Sequence, residues 1–299
     1  METKVISYSL FEPKNINSHL RFWDKYNGFD RYWYNIPAVI SLNSLFYPEF
    51  KQIIHISSSI KNNPLFKLLE TINENFDNLE ICELEYDYEN TEPTLWRYKP
   101  LFDKSCDLIL CRDIDSIPNQ DELLATKYFI SNEKYQVHTL RTHTNHTTPP
   151  TIILAGLCGY RPKFIPFIQS FNFSEYYNHV KTPHWGLDQN SLISIFIRSQ
   201  EWTREYFLDS PISTEIHRVG NPLIQCQSYD QNFYRENVIL DNKYSKLIDY
   251  LNYQTSWGGE PSDIRGEKLR QLLSFGFDPF VKMSVCISKS DQFIQDFYL

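Results

Sequence analysis

The sequence contains no apolar run near the roughly 20 residues that a helix needs to cross a bilayer. It has no surplus of positive charge either: 29 Lys and Arg stand against 37 Asp and Glu, giving a formal net charge of -8 and a pI near 5.5. Nucleic-acid and membrane surfaces reward excess Lys and Arg, so both are argued against as partners. An anionic ligand must then be met locally, by a metal or by a few basic groups. The six cysteines, at 82, 106, 111, 158, 226 and 286, include no CxxC pair, which removes a zinc knuckle and a disulfide framework and fits a reducing compartment. No internal repeat and no low-complexity tract is present. The chain opens on a strand pattern without a basic region or cleavage site, so a soluble protein of the cytoplasm is expected. In that setting the sequons Asn145-His-Thr147 and Asn172-Phe-Ser174 read as chance matches.

What is present is a long alternation of elements. Residues 4–10 read as a strand and 37–46 as a helix, followed by a strand at 52–57. Asn63-Pro64 opens a helix whose apolar positions are Leu65, Leu68, Leu69 and Ile72, and 79–84 alternates as a third strand. Such alternation predicts an α/β fold with a mostly parallel sheet and helices on both faces. Asn119 can cap a helix with Asp121 and Glu122 in its first turn. Strands are expected at 136–140 and at 151–156, the latter running into Gly156, where a glycine lets backbone approach a ligand. A helix is expected at 190–197, short strands at 206–209 and 223–227, helices at 243–253 and 265–275, and a turn at 257–261. The division that follows is a catalytic core over 1–230, split at 118, and a helical extension over 231–299. Aromatic residues form 16% of the chain, enough to stack on sugars or bases, although core filling accounts for most of them.

The stretch from Asp107 to Ser116 organises this pattern. An apolar strand runs into Arg112-Asp113-Ile114-Asp115, so two carboxylates sit two apart where the strand ends. Carboxyl ends of strands are the ligand-binding edge of open α/β sheets. Paired carboxylates there suit a hard cation, Mg2+ or Mn2+. Before them lies Thr94-Leu-Trp96-Arg97-Tyr98-Lys99-Pro100, able to cap a cleft or simply to pack on the sheet through Trp96 and Tyr98. After them comes His184-Trp185-Gly186-Leu187-Asp188-Gln189 at a helix mouth.

In that order these residues resemble the metal-dependent GT-A glycosyltransferases, especially a viral and bacterial subgroup with an Arg-Asp-x-Asp-Ser motif. The resemblance spans roughly residues 4 to 200 and includes Lys4 to Leu10, Tyr47-Pro-Glu-Phe50, Trp96-Arg97-Tyr98, Leu140-Arg141-Thr142-His143 with His146, and Leu154-Ala155-Gly156. It implies a Rossmann-like core that moves a sugar from a nucleotide-sugar, most often UDP-linked, to a glycan, protein-linked or other hydroxyl acceptor. It implies metal ligation by Asp115, ranked above Asp113, with Asp209 as one candidate third ligand beside His217 and His184. The family's His-Asp-Ser setting is Leu208-Asp209-Ser210 here. Asp188 and Gln189 are the implied catalytic pair, leaning toward retention of configuration. Ser7, Tyr8, Trp96, Arg97, Arg112, Asp113, Arg141, His143, Gly156 and Trp185 are the implied donor-binding residues.

Two other classes fit parts of the pattern. A haloacid-dehalogenase-type phosphatase would use Asp113 as a covalent nucleophile, but its motif ends the first strand and here three strands precede it. A sugar-nucleotide or carbohydrate-binding protein without turnover would retain the fold and lose the third ligand. His138, His143 and His146 lack the spacing of a closed zinc site and read as ordinary polar residues.

Overall fold

A computed structural model describes residues 2–12, 30–89, 91–133, 137–140, 155–164, 168, 171–181, 187–188, 191–192, 240–255 and 262–299. Its centre is a six-stranded sheet of β1 (Lys4–Leu10), β2 (Lys51–Ile56), β3 (Leu79–Glu83), β4 (Leu108–Arg112), β5 (Val137–Thr139) and β6 (Leu157–Tyr160). The order is β3-β2-β1-β4-β6-β5, with β1, β2, β3 and β4 mutually parallel and β6 antiparallel to both neighbours. The fold is therefore mixed α/β, Rossmann-like and mainly parallel.

Side chains alternate across the strands and build two different cores. Ile6, Tyr8, Leu10, Ile54, Ile56, Leu108 and Leu110 face α1 (Asp30–Phe46), α2 (Phe66–Asn75) and the helices after residue 240. Those helices are α5 (Ser245–Gln254), α6 (Glu267–Leu273), α7 (Asp278–Ser288) and α8 (Gln292–Tyr298). They share one apolar cluster with α1 and α2. On this same face α3 (Gln120–Ser131) starts at Asn119, whose side chain accepts from the Glu122 amide at 2.9 Å. The opposite face carries Val5, Ile109, Cys111 and Cys158 against a long 3-10 segment, Glu92–Phe102, and α4 (Phe173–Val180).

Helix α1 extends the expected 37–46 helix back through the aromatic segment, so Pro37 falls inside it. A proline there removes the amide that would bond the carbonyl four residues earlier, that of Trp33. The Tyr298 hydroxyl of α8 donates to that carbonyl at 2.8 Å. The end of the chain thus satisfies a group orphaned near its beginning.

Three expectations shift. Of the strand expected at 151–156, residues 151–154 lie outside the described residues, while Ala155 and Gly156 form a turn before β6 at Leu157–Tyr160. Helices α4, α7 and α8 were not anticipated. Residue Asn172 of the second sequon is the N-cap of α4, in a reciprocal capping box with Glu175. The readings at 190–197, 206–209, 223–227 and 257–261 lie largely or wholly outside the described residues.

Candidate functional site

Because β6 runs antiparallel to β4, its beginning rather than its end lies beside the carboxyl end of β4. Arg112 pairs with Leu157, so Asp113 and Gly156 are the next residues outward on the two chains. They touch so closely that a Cβ on Gly156 would stand 1.7 Å from Asp113 Oδ2. Only glycine permits this approach.

Arg97 joins the expected residues into one site. Its 3-10 segment is pinned to β1 by a 2.9 Å bond from the Arg97 amide to Ser9 Oγ, and its Nε donates to the Thr94 carbonyl at 3.1 Å. From there its guanidinium bonds Asp113 Oδ1 and reaches Asp188 Oδ2 at 3.4 Å. Burial pulls the Arg97 pKa down, but the charges of Asp113 and Asp188 outweigh it and hold the group well above the ordinary arginine value. Asp188 is held from behind as well: the Tyr176 hydroxyl donates to Ser191 Oγ at 2.7 Å, and Ser191 Oγ donates to the Asp188 carbonyl at 2.8 Å. Acids 75 positions apart thus share one buried cation.

The two carboxylates of the acidic motif are not equivalent. The Asp113 side chain is 35% exposed and faces Arg97 and Gly156, whereas Asp115 is 4% exposed. The Asp115 carbonyl accepts from the Ser262 amide at 2.7 Å and from Asn35 Nδ2 at 3.3 Å. Their exposure therefore runs opposite to the order in which the resemblance ranks them, and Asp113 is the acid that solvent reaches.

Ser7, Tyr8, Trp96 and Arg112 are enclosed in the interior. Tyr8 bonds Asn43 and Gln52 under α1. Arg112 points toward α3, the side of the sheet that also carries Leu110. Its Nε pairs with Glu122 Oε1 at 3.0 Å, and its Nη atoms donate to Thr126 Oγ1 and the Cys111 and Cys158 carbonyls, each at 3.0 Å. Glu122, the expected first-turn acid of α3, is also buried; burial raises its pKa and Arg112 opposes the rise. With four of its five N–H donors so engaged and the side chain buried, these geometries give Arg112 a supporting part rather than a contact with donor. Arg141, His143, Trp185, Gln189 and Asp209 lie outside the described residues, as do His146, His184 and His217. His138 is buried in β5 and stacks on Phe129 at 5.2 Å, consistent with an ordinary core histidine.

Asn35 and Ser262, which fasten the acidic turn, carry no motif that sequence reading could use. The local signal for Arg97 over Arg112 was available in the two-residue period of β4, which puts Arg112 on the side of Leu108 and Leu110.

Among the described residues no group of three His, Cys, Asp or Glu is gathered in metal-binding fashion, and no helix is long and apolar enough to cross a membrane. No protein-family model matches the chain, and no curated protein matches it. Among solved structures, it is similar to the 4-diphosphocytidyl-2C-methyl-D-erythritol synthase of Anaerococcus prevotii, at 14% identity and a TM-score of 0.38, over 67% of this chain and 84% of that one.

Proposed function

We propose that the protein is a metal-dependent glycosyltransferase of GT-A type, moving a sugar from a nucleotide-sugar to a hydroxyl of a glycan or other acceptor. The observation that carries this reading is the bridge from Arg97 to Asp113 and Asp188 at the carboxyl end of β4, with Gly156 backbone against Asp113. It brings an acid from the Arg-Asp-x-Asp stretch and an acid from the Trp-Gly-x-Asp-Gln stretch to one point. That supports a site in which one carboxylate serves the leaving diphosphate and another the sugar centre.

Asp113 and Asp115 offer hard oxygen donors, and a pair of carboxylates fits Mg2+ or Mn2+ held additionally by phosphates and water. Such an ion supplies Lewis acidity that stabilises charge on the departing diphosphate. Arg97 holds the Asp113 and Asp188 carboxylates in fixed directions. Two acids and one arginine leave the cluster with a net negative charge, which favours cation entry. Asp188 positions the acceptor or steadies positive charge at the anomeric carbon, with Gln189 beside it in sequence; a retaining course is the first to be tested.

The test is a thermal-shift and donor-hydrolysis screen of UDP-, GDP- and dTDP-sugars with and without Mn2+. A metal-dependent stabilisation by one nucleotide class, lost in Asp113→Asn and in Asp115→Ala, is expected. Absence of any metal-dependent shift with every nucleoside diphosphate overturns the reading. Phosphate release from a simple phosphomonoester would point to haloacid-dehalogenase-type chemistry, and binding without hydrolysis or transfer to a carbohydrate-binding role.

A further inference from the structure

We infer that Asn35 is a positioning residue for the acidic turn, and that through it the C-terminal helices hold the backbone of Asp115 in place. What the turn binds rests on the function proposed above; the fastening itself is read from the geometry.

Residues 113–119 lie beyond the end of β4, so the sheet gives their backbone no ladder partners. The partners come from two distant parts of the chain. Asn35, fully buried in α1, donates from Nδ2 to the Ser262 carbonyl at 2.7 Å and to the Asp115 carbonyl at 3.3 Å. Its Oδ1 accepts from the Ile264 amide at 3.1 Å. The Ser262 amide donates to the Asp115 carbonyl at 2.7 Å, and Ser262 Oγ accepts from the Ile117 amide at 3.3 Å. One side-chain amide therefore binds three backbone groups in two segments, and the peptide units on both sides of Ser116 are held by residues from another region.

This is more than local tidying, because the strap at 262–264 is itself anchored. Ile264 is buried in the same cluster as α5 to α8. The Gly266 amide donates to the Tyr298 carbonyl at 2.6 Å, and the Tyr298 hydroxyl returns to Trp33, two residues before Asn35. The strap, α8 and α1 close a loop of bonds around the acidic turn. A shift of the C-terminal helices must then move Asp115, and partners behind metal-ligating groups are worth about 10- to 100-fold in metal affinity.

Asn35→Asp tests this with nearly the same shape: Oδ1 still accepts from Ile264, but a carboxylate oxygen now faces the Asp115 and Ser262 carbonyls. Ser262→Ala is the milder second variant, removing only the acceptor for Ile117. Val5→Ala, at the opposite end of β1, is the control for general destabilisation. The first readout is the Mn2+ concentration at the midpoint of the UDP-dependent thermal shift. Asn35→Asp is expected to raise it by about 10-fold or more, Ser262→Ala to raise it less, and Val5→Ala to leave it alone. The second readout needs no ligand: amide exchange at Ile117 and Ser262 should speed up about tenfold in Asn35→Asp while β1 and β2 amides hold. Unchanged exchange at both amides, or a midpoint shift no larger than that of Val5→Ala, overturns the inference. If the wild-type protein shows no Mn2+-dependent shift at all, the transferase reading fails and the exchange result alone decides the positioning role. If Asn35→Asp does not fold, Ser262→Ala decides by the same two measurements.

Discussion

The two faces of the sheet are made by the same strands but carry their charges differently. One face buries Arg112 against Glu122, with both side chains under a tenth exposed and four of the five guanidinium N–H donors engaged. The other buries Arg97 between Asp113 and Asp188, whose side chains remain 35% and 16% exposed. The first arrangement is closed: removing either partner leaves a charge with no water to receive it. The second is open on its acidic side, so an incoming cation or ligand can compete for the carboxylates. Identical pair chemistry thus serves structure on one face and a site on the other, and what differs is access.

The largest expected effect separates the two arginines. Arg112→Met strands Glu122 in the core and should cost about 3–5 kcal/mol, read as the loss in urea unfolding free energy. The fraction that stays folded should bind nucleotide and Mn2+ as before. Replacing both Arg112 and Glu122 with Met should recover most of the loss, since an apolar pair of similar volume is commonly neutral. A single variant that keeps its stability but loses nucleotide binding would put Arg112 in the binding site after all and erase the comparison.

Two glycines three residues apart sharpen it next. A Cβ on Gly156 would collide with the Asp113 carboxylate, at 1.7 Å from Oδ2 and 2.3 Å from Cγ, whereas one on Gly159 would meet Phe129 at 2.8 Å and Leu110 at 2.9 Å in the other core. Gly156→Ala should therefore lower transfer by about 100-fold, the scale of a misplaced catalytic group, with a small stability change. Gly159→Ala should cost about 1–3 kcal/mol through overpacking and spare the chemistry of the folded protein. Activity per folded molecule, measured beside the unfolding midpoint, checks both. Equal profiles for the two variants would show that position relative to the acidic turn does not matter.

Much of this arrangement was legible in the sequence, and the limits have physical causes. The strands β1 to β4 announce themselves because each is a short apolar or alternating run bounded by turn residues, and the acids end β4 where the run of Leu108, Ile109, Leu110 and Cys111 stops. The cap at Asn119 was equally visible and holds as expected. The placement of β6 was not. Gly156 suggests a strand exit, but it fits just as well before an antiparallel strand, and direction cannot be read from composition. Helices α7 and α8 did carry start signals, Pro279 in the first turn of one and Asp291 capping the other through the Ile294 amide at 3.0 Å. The long-range bonds are a different matter. Asn35 to Ser262 spans 227 positions, and nothing local in either residue reports the other.

A smaller effect probes the joint between the C-terminal helices and the α1 side of the sheet. Tyr298→Phe keeps the ring and removes the hydroxyl that donates to the Trp33 carbonyl freed by Pro37. A buried acceptor left without its donor should cost about 1–2 kcal/mol. Restoring an amide at position 37, by Pro37→Ala in the Tyr298→Phe background, supplies the helix bond that Pro37 withholds and should return part of that loss. A double-mutant cycle by urea unfolding reads the coupling, and strict additivity of the two changes would mean that Tyr298 holds the carbonyl for no reason connected with Pro37.

The gentlest test compares one histidine on each face. His55 in β2 lies on the Arg97 side and His138 in β5 on the α3 side; both are buried, and burial holds the pKa of each down at about 3. Neither ring takes up a proton in the folded protein until far below the unfolded value of about 6.5. The unfolded chain therefore binds more protons over that interval. The stability tied to each ring is complete above about pH 6.5 and drains away as the pH falls toward 3, at about 1.4 kcal/mol per pH unit for each histidine. His55→Leu should remove one such contribution from the slope of unfolding free energy between pH 6 and 4.5. It should also relieve two ring nitrogens that have no hydrogen-bond partner among the described residues. His138→Leu should flatten the slope by a similar amount but forfeits the stack on Phe129. At neutral pH the substitution at 55 should then stabilise the protein relative to the one at 138. An unaltered slope for His55→Leu would mean that the ring is reached by water or by a proton acceptor, and that the Arg97 face is wetter at β2 than its packing indicates.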